Sequence, residues 1–203
     1  MLQAEAPRLV LASQSAARQA LLAAAGLVFQ TRAAKLDETA VKEAARAEGS
    51  TVEACSLLLA ELKALRVSRS DPEALVIGAD QILVCQGRWF DKPTDLAGAK
   101  EHLLALRGQT HALVTSVVCA RNGEVVWRHC TRPSLRMRIF SEQFLAAYLA
   151  HEGEALLSSV GAYRLEALGI HLFDAVEGEQ ASILGLPMLA LLGFLRQHGA
   201  ISG

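Results

Sequence analysis

The chain has no excess of charge of either sign. Its 20 Lys and Arg residues stand against 21 Asp and Glu, a formal net charge of −1. That balance excludes broad electrostatic binding to duplex nucleic acid or to an anionic membrane, so any recognition of phosphate has to be local. Cysteine is sparse: Cys55, Cys85, Cys119 and Cys130 lie far apart, with no Cys-x-x-Cys pair. This argues against a zinc site or a thioredoxin-like motif and for reduced thiols in a cytosol. The six histidines show no His-x-x-x-His spacing and are read as non-ligands. Long hydrophobic runs are missing too. The candidates, Ile183 to Leu195 and Ala20 to Phe29, fall short of the ~20 residues that cross a bilayer, and Pro187 and Gly193 interrupt the first. Glu5 and Arg18 flank too little continuous hydrophobe for a signal peptide, so a cytoplasmic protein is expected. There is no P-loop, no Gly-x-Gly-x-x-Gly and no Gly-x-Ser-x-Gly elbow.

What is present is a globular composition, 52% hydrophobic and 20% charged over 203 residues, enough for one substantial core. No internal repeat, low-complexity tract or linker interrupts it. Arg8 to Ala12 reads as a buried strand, followed by a helix from Ala16 to Ala25 that Gly26 stops. Val28 to Arg32 suggests a second strand, and Lys35 to Thr39 a polar loop leading into an Ala-rich helix. A helix is expected from about Thr51 to Val67, capped by Ser50 or Thr51. Leu75 to Ala79 is a strand that Ile82 to Cys85 would continue after a bend, with a turn at Gln86-Gly87-Arg88. Leu96 to Leu106 is helical behind a Thr94 or Asp95 cap. Asn122-Gly123 marks a hairpin, Ser141 caps a helix through Leu149, Ile170 to Val176 reads as a strand, and Pro187 opens a final helix. Alternating strands and helices predict an α/β fold with a mixed sheet.

Three groups of residues stand out chemically. Ser13-Gln14-Ser15-Ala16-Ala17-Arg18 joins a strand to a helix, and its hydroxyls, free N–H groups and arginine suit an anion; a plain N-cap with a solvated arginine is the alternative. In Gly78-Ala79-Asp80-Gln81 an acid follows an apolar strand, where open α/β sheets place ligand-binding residues. An ionised carboxylate there calls for a cation, either a side chain or a metal. Asp80 with the loop acids Asp37 and Glu38 suits a magnesium site, or else a capped turn and a solvated pair. Lys63 on the long helix and Lys92 beside Pro93 are either surface lysines or part of such a site. Arg164, Glu166 and Gly169, then Glu177-Gly178-Glu179 and Gly185-Leu186-Pro187, are late turns.

The order of these pieces is familiar. "LVLASQSAARQALLAAAGLVF", "KLDET", "LAELKA", "VIGADQILVCQGRWFDKP" and "VGAYRLEALGIHLFDAVEGEQASILGLPM" together resemble the Maf family, nucleoside-triphosphate pyrophosphatases related in fold to the inosine-triphosphate pyrophosphatases, from Leu9 to about Leu195. The resemblance implies one Maf-like domain over residues 1–203, two-lobed with a central cleft. It also implies hydrolysis of a nucleoside triphosphate to a monophosphate and pyrophosphate with a divalent metal, Mg²⁺ or Mn²⁺. By position, Ser13, Ser15 and Arg18 match the phosphate-binding loop, Lys63 and Lys92 its lysines, Asp80 the catalytic acid, and Glu38 with Asp80 the metal ligands. No nucleic-acid or membrane partner is expected, and a homodimer is left open.

Departures from the family are specific. Its Ser-Pro-Arg-Arg pattern is Ser15-Ala16-Ala17-Arg18 here, Ala167 replaces a glycine, and Glu179 stands where Asp is usual. A nucleotide-binding protein with little catalysis is therefore the rival reading. The specificity positions are Ala17, Gln81 and Glu166. In the dTTP/UTP branch of the family that the chain resembles, these positions are usually Arg, Thr and Gln, whereas the 7-methyl-GTP branch more often has an aromatic, Gln and Glu. Gln81, expected to face the base or sugar, and Glu166 agree with the second branch, and Ala17 with neither.

Overall fold

The computed structural model describes residues 3–202. In chain order the first elements are β1 (Leu9–Leu11), α1 (Ala16–Ala24), β2 (Phe29–Thr31), α2 (Glu38–Ala47), α3 (Val52–Ser68) and β3 (Leu75–Cys85). Next come β4 (Arg88–Phe90), α4 (Leu96–Leu106), β5 (Thr110–Arg121), β6 (Glu124–Thr131), β7 (Ser134–Met137) and α5 (Glu142–Glu152). The last are β8 (Phe173–Glu177), α6 (Gln180–Ile183) and α7 (Met188–Gln197). The strands form a mixed sheet, as an α/β reading requires. Two compact units are resolved: Met1–Gln81 with Thr115–Thr131 and Glu179–Gly203, and Ile82–Val114 with Arg132–Gly178. Among the described residues no helix is long and apolar enough to cross a membrane.

In the first unit β1 runs parallel to both β2 and β3, with Leu9 beside Phe29 and Leu75. Successive side chains of a strand point to opposite faces, and both faces are covered. Leu9, Leu11, Leu75 and Ile77 pack with Leu22 of α1 and Leu191 and Phe194 of α7. Val10 and Val76 pack with Ala60, Ala64 and Val67 of α3. Double coverage explains why these strands are apolar runs rather than alternating ones. Gly78 belongs to the α3 side: a Cβ there would stand 2.3 Å from the Ala60 carbonyl oxygen and 2.7 Å from the Ala64 nitrogen. Only glycine lets the strand and helix backbones come this close.

Several local expectations hold. Thr51, Asp95 and Ser141 cap α3, α4 and α5, each accepting a backbone N–H with its side-chain oxygen. Asn122 and Gly123 both have positive φ, 51° and 74°, as a two-residue β5–β6 hairpin demands.

Others need correction. β3 has no bend, so Asp80 is not at a strand end; it lies inside an eleven-residue strand. What stops near it is the parallel pairing with β1, whose last partner is Ile77. Beyond Gln81 the strand pairs with β4, Leu83 beside Phe90, through a turn at Gln86 and Gly87 with φ 49° and 80°. Asp37 caps α2, its Oδ1 accepting from Ala40 N at 3.0 Å, so Glu38 starts a helix instead of lying in a loop. The strand expected from Ile170 begins only at Phe173, because Leu168–Leu172 forms a 3₁₀ turn. Gly169 explains it: a Cβ there would stand 2.3 Å from the Arg164 carbonyl oxygen, so the chain is folded tightly back.

The second unit pairs β7 antiparallel to both β5 and β8 and buries His111 of β5. Its Nε2 lies 2.8 Å from the Tyr163 hydroxyl, and its ring packs against Tyr163 and Phe173. Burial lowers the pKa of His111 from 6.5 to about 4 and raises that of the Tyr163 hydroxyl. Between these His111 values the unfolded chain binds a proton that the folded chain does not, so stability falls as pH drops from 6.5 toward 4. Wild-type protein is expected to lose about 2 kcal/mol more than a His111→Asn variant between pH 7 and pH 5. Denaturant midpoints at the two pH values measure this, and equal losses would contradict it.

Candidate active site

The cation that Asp80 calls for is a side chain. Asp80 on β3 and Lys63 on α3 face each other where Gly78 lets the two backbones meet, and Lys63 Nζ donates to Asp80 Oδ1 at 2.7 Å. Both groups are buried, their side chains 4% and 8% exposed. Glu38, one residue into α2 and half-exposed, lies on the same ammonium at 2.9 Å. The backbone of Asp80 is held as well, Ser56 Oγ donating to its carbonyl at 3.4 Å. Oδ2 of Asp80 is left buried with no hydrogen-bond partner among the described residues. An unpaired carboxylate oxygen in the interior is costly unless something else occupies it.

The β1–α1 connection supplies the second cation. Ser15 is the N-cap of α1, its Oγ accepting from Arg18 N at 3.5 Å. Ser13 Oγ accepts from Ser15 N at 3.2 Å and from Arg18 Nη1 at 3.3 Å. Arg18 Nε donates to the Gly185 carbonyl at 2.8 Å. Desolvation lowers the pKa of Arg18, while Asp80 and Glu38 pull it back up. Arg18, Asp80, Glu38 and Lys63 thus share one electrostatic neighbourhood, with two positive and two negative charges. Ala17, in the first turn of α1, carries only a methyl group.

Gln81 does not simply point outward. Its Nε2 donates to Thr115 Oγ1 at 2.8 Å and to the carbonyls of Ser182 and Ile183, both at 3.0 Å. Glu179 accepts from Ser182 Oγ at 2.7 Å and from Leu189 N at 2.8 Å, bridging α6 and the start of α7. Glu179 and Gly185 stood out in the sequence as parts of turns, and Glu179 also as a position where the family more often has Asp, whereas Thr115 and Ser182 did not. The Gly185-Leu186-Pro187 punctuation was the available signal.

The second unit carries Lys92 and Glu166. Lys92 is exposed in the segment after β4. Arg164 Nη1 pairs with Glu152 at 3.4 Å, its Nε with Glu166 at 3.7 Å, and Leu168 N donates to the buried Glu152 at 3.3 Å. Glu152 was not anticipated; at the end of α5 it reads as an ordinary surface acid.

The sequence pattern of the Maf-like protein family matches residues 8–198. The chain belongs to the Maf family. It is 55% identical over 195 residues to a Granulibacter bethesdensis protein named "Nucleoside triphosphate pyrophosphatase", covering 96% of this chain and 99% of that one. A protein of the same name from Paramagnetospirillum magneticum is 52% identical over 192 residues, 95% and 99% of the two chains. A Rhizobium meliloti protein named "7-methyl-GTP pyrophosphatase" is 48% identical over 195 residues, 96% and 98%. In this Maf protein, then, Ser13, Ser15, Arg18, Glu38, Lys63, Asp80 and Gln81 lie in the first unit, with Ala17, while Lys92 and Glu166 lie in the second.

The described residues contain no group of three or more His, Cys, Asp or Glu that could hold a metal ion. Glu38 and Asp80 nonetheless fit a hard divalent cation. Magnesium is commonly held by one or two carboxylates together with substrate phosphates and water, and the unpartnered Oδ2 of Asp80 is a donor atom of that kind.

Proposed function

We propose that this Maf protein hydrolyses a nucleoside triphosphate between the α- and β-phosphates, releasing a monophosphate and pyrophosphate. The observation that carries the reading is the buried, unpartnered Oδ2 of Asp80, held beside Lys63 and Glu38 and within the electrostatic reach of Arg18. The names of its relatives point to the same reaction. Arg18 keeps N–H groups beyond those given to Gly185 and Ser13, and with the Ser13 and Ser15 hydroxyls it grips phosphate oxygens at the start of α1. Lys63 orients Asp80 and adds positive charge. Asp80 accepts the proton of the water that attacks the α-phosphorus while the anhydride bond to the β-phosphate breaks. Glu38 and Asp80 would hold Mg²⁺ or Mn²⁺, which when bound offsets charge on the phosphates and on the departing pyrophosphate.

The preferred base in this proposal is a guanine type such as 7-methyl-GTP. A Glu166 carboxylate accepts both N1–H and N2–H of a guanine edge, opposes the carbonyl oxygens of a pyrimidine, and favours the positive charge of a methylated ring. Ala17 has no ring to stack on the base, which forfeits ~1–3 kcal/mol relative to an aromatic residue. In the presence of Mg²⁺, kcat/KM is expected to be higher for 7-methyl-GTP than for dTTP and UTP, with pyrophosphate as product. Glu166→Gln should narrow that gap. Release of orthophosphate would overturn the reaction, as would full activity after chelation for the metal. A wild-type preference for dTTP or UTP would overturn the base assignment.

A further inference from the structure

Glu152 is a buried acid that the hydrolysis of a triphosphate leaves unused. Its side chain, at the C-terminal end of α5, is 4% exposed, and each of its oxygens has a different partner. Oε2 accepts from Arg164 Nη1 at 3.4 Å, and Oε1 accepts from Leu168 N at 3.3 Å. The segment between those two contacts is a tight turn, in which Ala167 N donates to the Arg164 carbonyl at 3.1 Å. Leu165 of this turn is buried, and Glu166 beside it has its side chain 41% exposed. One carboxylate thus closes both ends of the turn that carries Glu166. Tyr148, one turn earlier on α5, adds no charge: burial first, and Glu152 next, raise the pKa of its hydroxyl.

Arg164 has two carboxylates within reach, and burial decides which it serves. An ionised acid left unpaired in the interior is costly, whereas an exposed one is stabilised by water. The guanidinium accordingly donates to Glu152. Glu166 Oε1 stands 3.7 Å from Arg164 Nε, within ion-pair range and beyond hydrogen-bonding distance. We infer that Glu152 is a positioning residue for base selection: it holds Arg164 off Glu166 and fixes the turn, so that the Glu166 carboxylate keeps both oxygens for the substrate. The inference rests on the proposed reading of a guanine edge by Glu166. That reading needs both oxygens at once, one for N1–H and one for N2–H. Without the charge on Glu152, Arg164 would close on Glu166 as a two-pronged pair, the geometry that arginine and carboxylate favour.

Glu152→Gln isolates the charge, since glutamine still offers an oxygen to Leu168 N. Values of kcat/KM for 7-methyl-GTP, dTTP and UTP are measured with Mg²⁺ on wild type, Glu152→Gln, Glu166→Gln and the double variant Glu152→Gln with Arg164→Gln. Thermal denaturation checks the folding of each. In Glu152→Gln the preference for 7-methyl-GTP is expected to shrink ~10-fold or more, the scale of a lost hydrogen bond to a charged group, while dTTP and UTP stay within about twofold of wild type. The double variant, which has no arginine to close on Glu166, should recover the preference. A merely structural role would lower all three nucleotides together, and removing a second side chain would not restore their order. A preference that narrows in Glu166→Gln but not in folded Glu152→Gln, or one that the double variant fails to recover, would overturn the inference. A second arm needs no turnover. Urea midpoints for Arg164→Gln, Glu166→Gln and their combination give the coupling of that pair, once with Glu152 present and once in the Glu152→Gln background. The coupling should at least double when Glu152 is neutralised, and equal coupling in the two backgrounds would overturn the inference as well. If Glu166→Gln leaves the nucleotide preference untouched, the base assignment fails, and the urea cycle still decides the role of Glu152.

Discussion

Asp80→Asn is expected to cut pyrophosphate release by ~10²–10⁴-fold, the usual span for a lost general base, in a protein that stays folded. Asp80 is 3% exposed, with Oδ1 on Lys63 and Oδ2 unpartnered. Asparagine keeps the shape, and its carbonyl oxygen still accepts from Lys63. It loses the proton-accepting oxygen and the negative charge that a divalent cation would need. Lys63 retains Glu38 as counter-ion at 2.9 Å, so the ammonium is not stranded and the cost in stability should be small. Pyrophosphate release in Mg²⁺, read beside thermal denaturation of the same samples, measures both. Near-wild-type turnover by a folded variant would remove Asp80 from the chemistry.

Lys63→Met should act in the opposite proportion, reducing stability as well as turnover. It deletes the cation between two carboxylates and takes from the buried Asp80 its hydrogen-bonded counter-ion, leaving it the longer-range pull of Arg18. Breaking a buried pair from one side costs ~3–5 kcal/mol, with the lower end expected here because Glu38 is 45% exposed and free to hydrate. The double variant Lys63→Met with Asp80→Asn has no buried charge left uncompensated at this spot. It should therefore be more stable than Lys63→Met alone, although inactive. Urea midpoints for the two single variants and the double variant complete the cycle. Additive losses would mean that Lys63 and Asp80 do not depend on each other, contrary to the 2.7 Å contact.

The glycines divide the readable from the unreadable. Gly123 announces itself beside Asn122, because a two-residue hairpin needs positive φ whatever surrounds it. Gly78 carries no such local signature. Its φ is unremarkable, and the need for glycine comes from Ala60 and Ala64 on a helix that the sequence places well before it. Gly185 is intermediate: the turn was legible, but the arginine it faces was not. The same split runs through the acids. The Asp37 cap uses a neighbour three residues away and was read as a polar loop, whereas the burial of Glu152 depends on Arg164 and Leu168 in a separate segment.

By itself the sequence determined the alternation of strands and helices, the Thr51, Asp95 and Ser141 caps and the hairpin, and the short list of acids, lysines and hydroxyls able to handle phosphate. Those features depend on hydrophobic period and on hydrogen bonds spanning a few residues, which any short window contains. Only the tertiary structure decided the partners. It set Lys63 on Asp80 across 17 residues, Gln81 on Ser182 across 101, and Arg18 on Gly185 across 167. Such pairings arise because both faces of one strand are packed by helices from distant parts of the chain. What a polar side chain does there depends on which backbone that packing brings within 3 Å, and no local pattern encodes it.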